Sequence, residues 1–483
     1  MPFGYPANFQ IPAAPLPENP ADSARWDACR LRERLMNGTW QDDLRRELEI
    51  QLGKTRSHAT GSTDMSSCLL RNIAVQLGVL YDKPPSVSHL DGAEGLIGPQ
   101  GLIADAGLWS LMGGVQQLTI AMNEYLVAVS ISPTGEPLFR PVSPGYVVAT
   151  AAPGTDEPET IRELRLRTDP TTRELGWFWD VWEPKERRFS VQASKDGTYT
   201  DCTALFITDA NGAPVPGPLE GDDYPYLTPE GAGIMPWGFW HATRTGKLWN
   251  TTLNETVTTA TLTAAVFWNF FGHCLRDASY PQRYAINCHL PGTGLEDADV
   301  AVRETIVTDP STILMMTQDD DGQQPQIGQW LAGADASMIL GCLEQYESRV
   351  ASSAGISASD VQRLSGQARS GYAISMTNSG KRAAQAKYSP TQRRGDLALI
   401  ATTAQMLNSV TGSTWPTSGY SIRYAAVPKS AQELEAERKH VLELLDAGLM
   451  DRAEALSMLT GMTRAEALQR LEEIRRLNIS TAA

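Results

Sequence analysis

The chain has 483 residues, 42% of them hydrophobic and 20% charged, with a formal net charge of −15. That length exceeds what one compact core holds, so about two to four domains are expected, and the composition excludes a disordered chain. The acidic balance argues against a basic face that wraps nucleic acid, because such binding depends on Lys and Arg neutralising phosphates.

The first stretch, MPFGYPANFQIPAAPLPENP, is Pro-rich and lacks the basic-then-apolar layout of a signal peptide. It reads as an extended arm over 1–21. Residues 22–55 follow a helical pattern: Ala24, Ala28, Leu31 and Leu35, then Trp40, Leu44 and Leu48. Another helix is expected over 66–80, stopping before Lys83-Pro84-Pro85, and another over 108–125.

From 126 to about 206 the texture changes. LVAVSI, GYVVAT, IRELRLRT, GWFWDVWE and RRFSVQA are strand-like and separated by turn material, which predicts an antiparallel meander. A Gly/Pro/Asp loop over 209–230 follows. Residues 250–276 predict a helix about 40 Å long at ~1.5 Å per residue. Its apolar part, ATLTAAVFWNFFGHCL, is shorter than the roughly 20 apolar residues a membrane span needs, and it contains Asn269 and His273. No membrane association is expected.

Residues 281–329 read as short strands and turns. A helix over 334–354 carries Ile339, Leu343, Tyr346 and Val350 as an apolar stripe. Residues 371–408 form one long helical stretch, expected to be interrupted and kinked near Ser389-Pro390. A short strand, SIRYAAV, comes next. The last segment holds three N-cap boxes, Ser430 with Glu433, Asp451 with Glu454 and Thr463 with Glu466, so three helices with tight turns are expected. Gly448 and Gly461 sit where helices should end.

Catalytic and metal signals are weak throughout. A phosphate loop would read GxxxxGK[ST]; near Gly380-Lys381, Ser375 stands at the first Gly position and Arg382 at the Ser/Thr position. His273-Cys274 and Cys288-His289 form a mirrored set of zinc-type ligands, but adjacent residues point apart and rarely converge on one ion, so buried thiols are the plainer reading. The six cysteines contain no CxxC pair, which suits a reducing compartment. No GxSxG elbow occurs. His58 lies in a polar loop with no visible partner, and Asp319-Asp320-Asp321-Gly322 lacks the Glu that an EF-hand loop demands. No cofactor, no metal and no enzymatic activity are expected.

The most informative stretch is 352–394, SSAGISASDVQRLSGQARSGYAISMTNSGKRAAQAKYSPTQRR. A helix end leads into a Gly/Ser-rich loop holding Gln362, Arg363, Gln367 and Arg369, and then into a helix opening Ser-Gly-Tyr-Ala. This resembles the tunnel-loop region of tailed-bacteriophage portal proteins. The helix ending in Lys-Pro-Pro is similar to the early wing region of that family, and AGLMDRAEAL and GMTRAEAL resemble its C-terminal crown. The likeness runs from about 22 to 477 and rests mostly on element order.

The resemblance implies an α+β, mainly α-helical portal fold with an antiparallel β wing, a long-helix stem, a small α/β clip and a helical crown. It divides the chain into an arm (1–21), wing (22–249), stem helix (250–280), clip (281–330), second stem helix (331–354), tunnel loop (355–370), kinked helix returning to the wing (371–427) and crown (428–483). It further implies a ring of identical subunits, expected to be a dodecamer, at one capsid vertex of the virion, assembled in the host cytoplasm. The implied partners are terminase large subunit, head–tail adaptor, major capsid protein and double-stranded DNA passing non-specifically. Arg363 and Arg369, with Gln362 and Gln367, would face the DNA channel; an otherwise acidic wall gives a sliding duplex no sticky register. Asp319, Asp320 and Asp321 would offer the clip's partner surface. Two rivals remain: another structural virion or assembly protein, and a hydrolase or nucleic-acid enzyme built around His58 and carboxylates.

Overall fold

The computed structural model describes residues 14–17, 19–52, 63–90, 92–192, 199–208, 212–250, 255–279, 282–286, 288–289, 317–318, 326–330, 335–356, 371–427, 431–460 and 464–481. Helices and antiparallel sheets are combined in an α+β fold. The main helices are α1 (Pro20–Asn37), α2 (Gln41–Leu52), α3 (Leu69–Leu77), α4 (Leu108–Met122), α5 (Glu255–Ser279), α6 (Ala336–Ser353), α7 (Gly371–Thr411), α8 (Ala431–Asp446), α9 (Arg452–Thr460) and α10 (Arg464–Thr481). Two compact units result. One holds Met1–Arg30, Ile73–Asn254 and Gly355–Ala483; the other holds Leu31–Asn72 and Glu255–Ala354.

In the first unit, strands β1 (Ser86–Ser88) and β15 (Ser421–Arg423) pair across most of the chain length. Strand β2 (Glu124–Ile131) lies between β3 (Pro137–Val142) and β10 (Trp237–His241). The sequence pattern passed over β3, because Pro137 and Pro141 cannot donate to a ladder. The prolines are tolerated because β3 is an edge strand of its sheet. Helix α4 stops at Met122, short of the expected residue 125. Asn123 takes a left-handed φ of 73°, and its side chain reaches Thr243: Thr243 N donates to Asn123 Oδ1 at 3.0 Å, and Nδ2 donates to Thr243 O at 3.3 Å.

The expected meander is present as β4 (Val147–Ala151), β5 (Pro158–Thr168), β6 (Leu175–Trp182), β7 (Glu186–Gln192) and β8 (Tyr199–Asp201), with β9 (Leu219–Glu220) also on β7. Alternation along β5 places Ile161, Glu163, Arg165 and Arg167 on one face and Arg162, Leu164 and Leu166 on the other. Ile161 and Trp182 join Leu126, Val142, Val147, Tyr224 and Trp237 in one core. On the other face, Leu164, Trp179 and Val181 pack on Trp26 of α1, whose indole donates to Val147 O at 2.9 Å. Such aromatic contacts dominate burial in a half-polar sheet.

Helix α7 corrects one expectation. It runs unbroken through Pro390 for 41 residues. The physical reason is local: Pro390 and Ala386, whose carbonyl loses its partner, are both exposed, so water satisfies the freed group. Buried residues Tyr388, Gln392, Asp396 and Leu399 carry the packed face past the proline. Beyond it, α8 ends at Gly448 with φ 71°. The Asp451 box is formed, with Glu454 N donating to Asp451 Oδ1 at 2.6 Å and Asp451 N donating to Glu454 Oε2 at 3.1 Å. Ser430 and Thr463, the other two caps, lie outside the described residues.

In the second unit, Gly38 takes a φ of 76° and separates α1 from α2, which carry the two successive sets of the helical pattern. Arg34 clamps Asp43 across that turn with bonds of 2.7 and 2.8 Å. Helices α5 and α6 meet through Phe267 on Tyr346, at 6.0 Å between ring centroids, and through Trp268 Nε1 donating to Glu347 Oε1 at 2.7 Å. Ser67 Oγ donates to the same oxygen at 2.7 Å. Between the two helices in sequence lie β11 (Gln282–Ile286) paired with β14 (Gln326–Trp330), and β12 (Cys288–His289) paired with β13 (Thr317–Gln318). No helix among the described residues is long and apolar enough to cross a membrane.

Candidate functional site

The residues singled out for the channel and for partner docking, Gln362, Arg363, Gln367, Arg369, Asp319, Asp320 and Asp321, lie outside the described residues, as does His58. The elements that bracket them are described. Helix α6 is capped by Asp335, whose Oδ1 accepts from Ser337 N at 2.8 Å, and the chain leaves its far end through Gly355 at φ 82°. Helix α7 begins at Gly371. Of the proposed zinc ligands, Cys274 is partly exposed on α5, next to His273, while Cys288 and His289 fall on β12. Among the described residues, no group of three His, Cys, Asp or Glu could hold a metal ion.

The described geometry instead builds a polar pocket in the first unit, with a volume of about 300 Å³. The turn after β4 supplies Asp156 and Glu157, β10 supplies Phe239 and His241, and α7 supplies Thr391 and Arg394. Arg244 forks onto Asp156, with Nε donating to Oδ2 at 2.7 Å and Nη2 to Oδ1. Arg394 forks onto Glu157 Oε1, with Nε at 3.0 Å and Nη2 closer. The Arg244 hydrogen bonds hold the Asp156 carboxyl below its usual pKa and raise that of Arg244. Burial pushes His241 below the usual imidazole range, and its Nε2 lies 3.2 Å from Leu248 O. Thr391 Oγ1 donates to Tyr388 O at 3.0 Å. These groups are committed to one another. They fasten the turn after β4 to α7 and to the segment after β10, and they present no base paired with a nucleophile.

Beside this pocket, Asp396 of α7 is 2% exposed. It accepts from three aromatic donors: Tyr81 Oη at 2.8 and 2.7 Å, Trp240 Nε1 at 3.1 Å and Tyr424 Oη at 2.6 Å. Burial raises its carboxyl from the usual 3.8 to about 6, and the three donors pull against that rise. Burial and the adjacent carboxylate push both tyrosines up as well. Gly395 lets Trp240 reach this position, because a Cβ there would collide with the indole. Sequence reading missed the cluster. Its only signal was an acid set among Leu397, Leu399 and Ile400 directly after a glycine.

No protein-family model and no curated protein matches the chain. Among solved structures, a chain of "Virion of native gene transfer agent (GTA) particle" is similar at a TM-score of 0.40 and 10% identity, over 81% of this chain and 88% of that one. A likeness of that strength fixes neither the fold family nor the function.

Proposed function

We propose that this chain is the subunit of a phage portal ring at one capsid vertex, forming the channel for DNA packaging and ejection. The observation that carries the reading is element order. A long helix (α5), a small β insert (β11 to β14) and a second helix packed on the first (α6) are followed by the Gly/Ser-rich 355–370 segment and the 41-residue α7. This is the order of stem, clip, stem and tunnel loop to which the sequence bears its resemblance.

Exposed apolar side chains support assembly. Phe267 and Leu275 on α5 and Met338 on α6 are exposed, Met338 by 63%. In a ring these side chains would be covered by neighbouring subunits. In this reading the chain does no chemistry of its own. Terminase large subunit and the head–tail adaptor dock at the clip around Asp319, Asp320 and Asp321, the major capsid protein surrounds the ring, and duplex DNA passes Arg363 and Arg369 without sequence preference. Mass measurement in solution tests this directly. A closed multiple of the subunit mass, expected to be a dodecamer, supports the reading, and a stable monomer under all conditions contradicts it.

A further inference from the structure

One face of the large sheet in the first unit carries more positive charge than it neutralises. Cross-strand register brings Glu163 of β5 opposite Asp180 of β6, with Arg165 opposite Phe178 and Arg187 of β7 opposite Trp182. Both acids are buried and committed. Glu163 receives a fork from Arg140 of β3, with both bonds at 2.6 Å. Asp180 lies 3.1 Å from Arg165 and 3.6 Å from Arg187. Among the described residues, four arginines (Arg140 of the neighbouring sheet, Arg165, Arg167 and Arg187) therefore stand against two carboxylates, an excess of two positive charges.

Arg167 is the unmatched member. It is partly exposed, and among the described residues no carboxylate lies within ion-pair distance of it. Its guanidinium sits over Phe189 at 4.7 Å and over Phe206 at 5.1 Å from the ring centroids. Phe206 in turn meets Phe178 at 4.8 Å and Phe189 at 5.2 Å. Arg187 shares the Phe189 ring at 5.1 Å. Two rings thus lie beneath the Arg167 cation, with Phe178 packed against Phe206. Burial, and then the neighbouring Arg165, depress the pKa of Arg167, while Asp180 and Glu163 pull the other way. Arginine stays charged even so, and it presents a rigid fork that matches a carboxylate.

We propose that this face is a docking site for an acidic segment of a protein partner, with Arg167 as the forked donor to an Asp or Glu side chain. Two features favour that occupant over nucleic acid. The cationic excess is confined to a few residues of a chain whose net charge is −15, so a long polyanion finds few further cations to neutralise its phosphates. The bed beneath the arginines is buried, with Phe178 5% and Phe189 1% exposed, so the face offers a few held forks and no open aromatic platform on which bases could stack. This inference does not depend on the ring reading.

The test is fluorescence anisotropy at low salt with a short fluorescein-labelled peptide of alternating Glu and Leu, and a thymidine oligonucleotide of equal length as the second arm. The peptide is expected to bind the full chain and to lose affinity at least about tenfold in Arg167→Ala, equivalent to about 1.4 kcal/mol. Arg167→Lys restores only part of it, for want of the fork, and added salt weakens it. Arg470→Ala, at an exposed arginine on α10, leaves binding unchanged. If circular dichroism shows Arg167→Ala unfolded, Arg167→Gln takes its place with the same expected loss. Absence of peptide binding, or equal binding by the wild type and the Arg167 variants, overturns the proposal. So does Arg167-dependent binding of the oligonucleotide as tight as that of the peptide.

Discussion

Asp396 shows how one buried carboxylate ties the first unit together. Three donors, Tyr81, Trp240 and Tyr424, converge on it from distant parts of the chain. Asp396→Ala leaves all three without an acceptor. Each stranded group costs about 1–3 kcal/mol, so urea melts should show a loss of about 3 kcal/mol or more. The pH dependence has a definite sign. Because the folded pKa is raised from 3.8 to about 6, the folded state holds the proton more tightly than the unfolded chain. The stability this group contributes is therefore fully present below about 4 and is lost as pH rises through about 6. Asp156 works in the opposite sense: Arg244 lowers its pKa, so its contribution is present above 3.8 and is lost as pH falls through the lowered value. The difference in unfolding free energy between wild type and Asp396→Asn should change across that window from about 4 to 6. A constant difference would mean that Asp396 does not titrate there.

At the scale of elements, Pro390 offers a clean test of why α7 stays whole. Since Pro390 and Ala386 face water, Pro390→Ala restores a backbone bond without disturbing packing. It should stabilise the chain by about 1–3 kcal/mol, read as a higher Tm. An unchanged or lower Tm would show that the proline sets a bend the packing needs. Much of the element pattern was legible in the sequence: the meander, the long helix over 371–408, the helix–insert–helix order and the Asp451 box. Three features were not. Edge strand β3 hid behind its two prolines, Asn123 ended α4 through a backbone conformation that periodicity does not encode, and the solvent exposure that lets α7 continue through Pro390 is set by the fold. The Asp396 cluster and the Arg167 face were invisible for one shared reason. Each depends on partners that only the fold brings together, Tyr81 and Asp396 being 315 residues apart.

For the whole molecule, the C-terminal helices repeat the argument for assembly. Among the described residues of α8, α9 and α10, the buried apolar set is Val441, Ala453, Ala455 and Ala467, while Leu434, Leu442, Met458 and Leu468 are exposed. A core of that size cannot stabilise three helices alone, so a covering surface is expected. Within the ring reading, Arg363 and Arg369 touch passing DNA through non-specific phosphate contacts. The double change to alanine should alter packaging or DNA retention, leave ring assembly intact, and matter less as salt rises. Normal packaging by the double variant at low and high salt would reduce the 355–370 loop to a spacer. The most direct test of the central claim is electron microscopy of the purified protein. The account predicts closed rings with a central channel, seen end-on as a stained hole on the symmetry axis. Particles of a single subunit, or open filaments without a channel, at every protein concentration tried would contradict it.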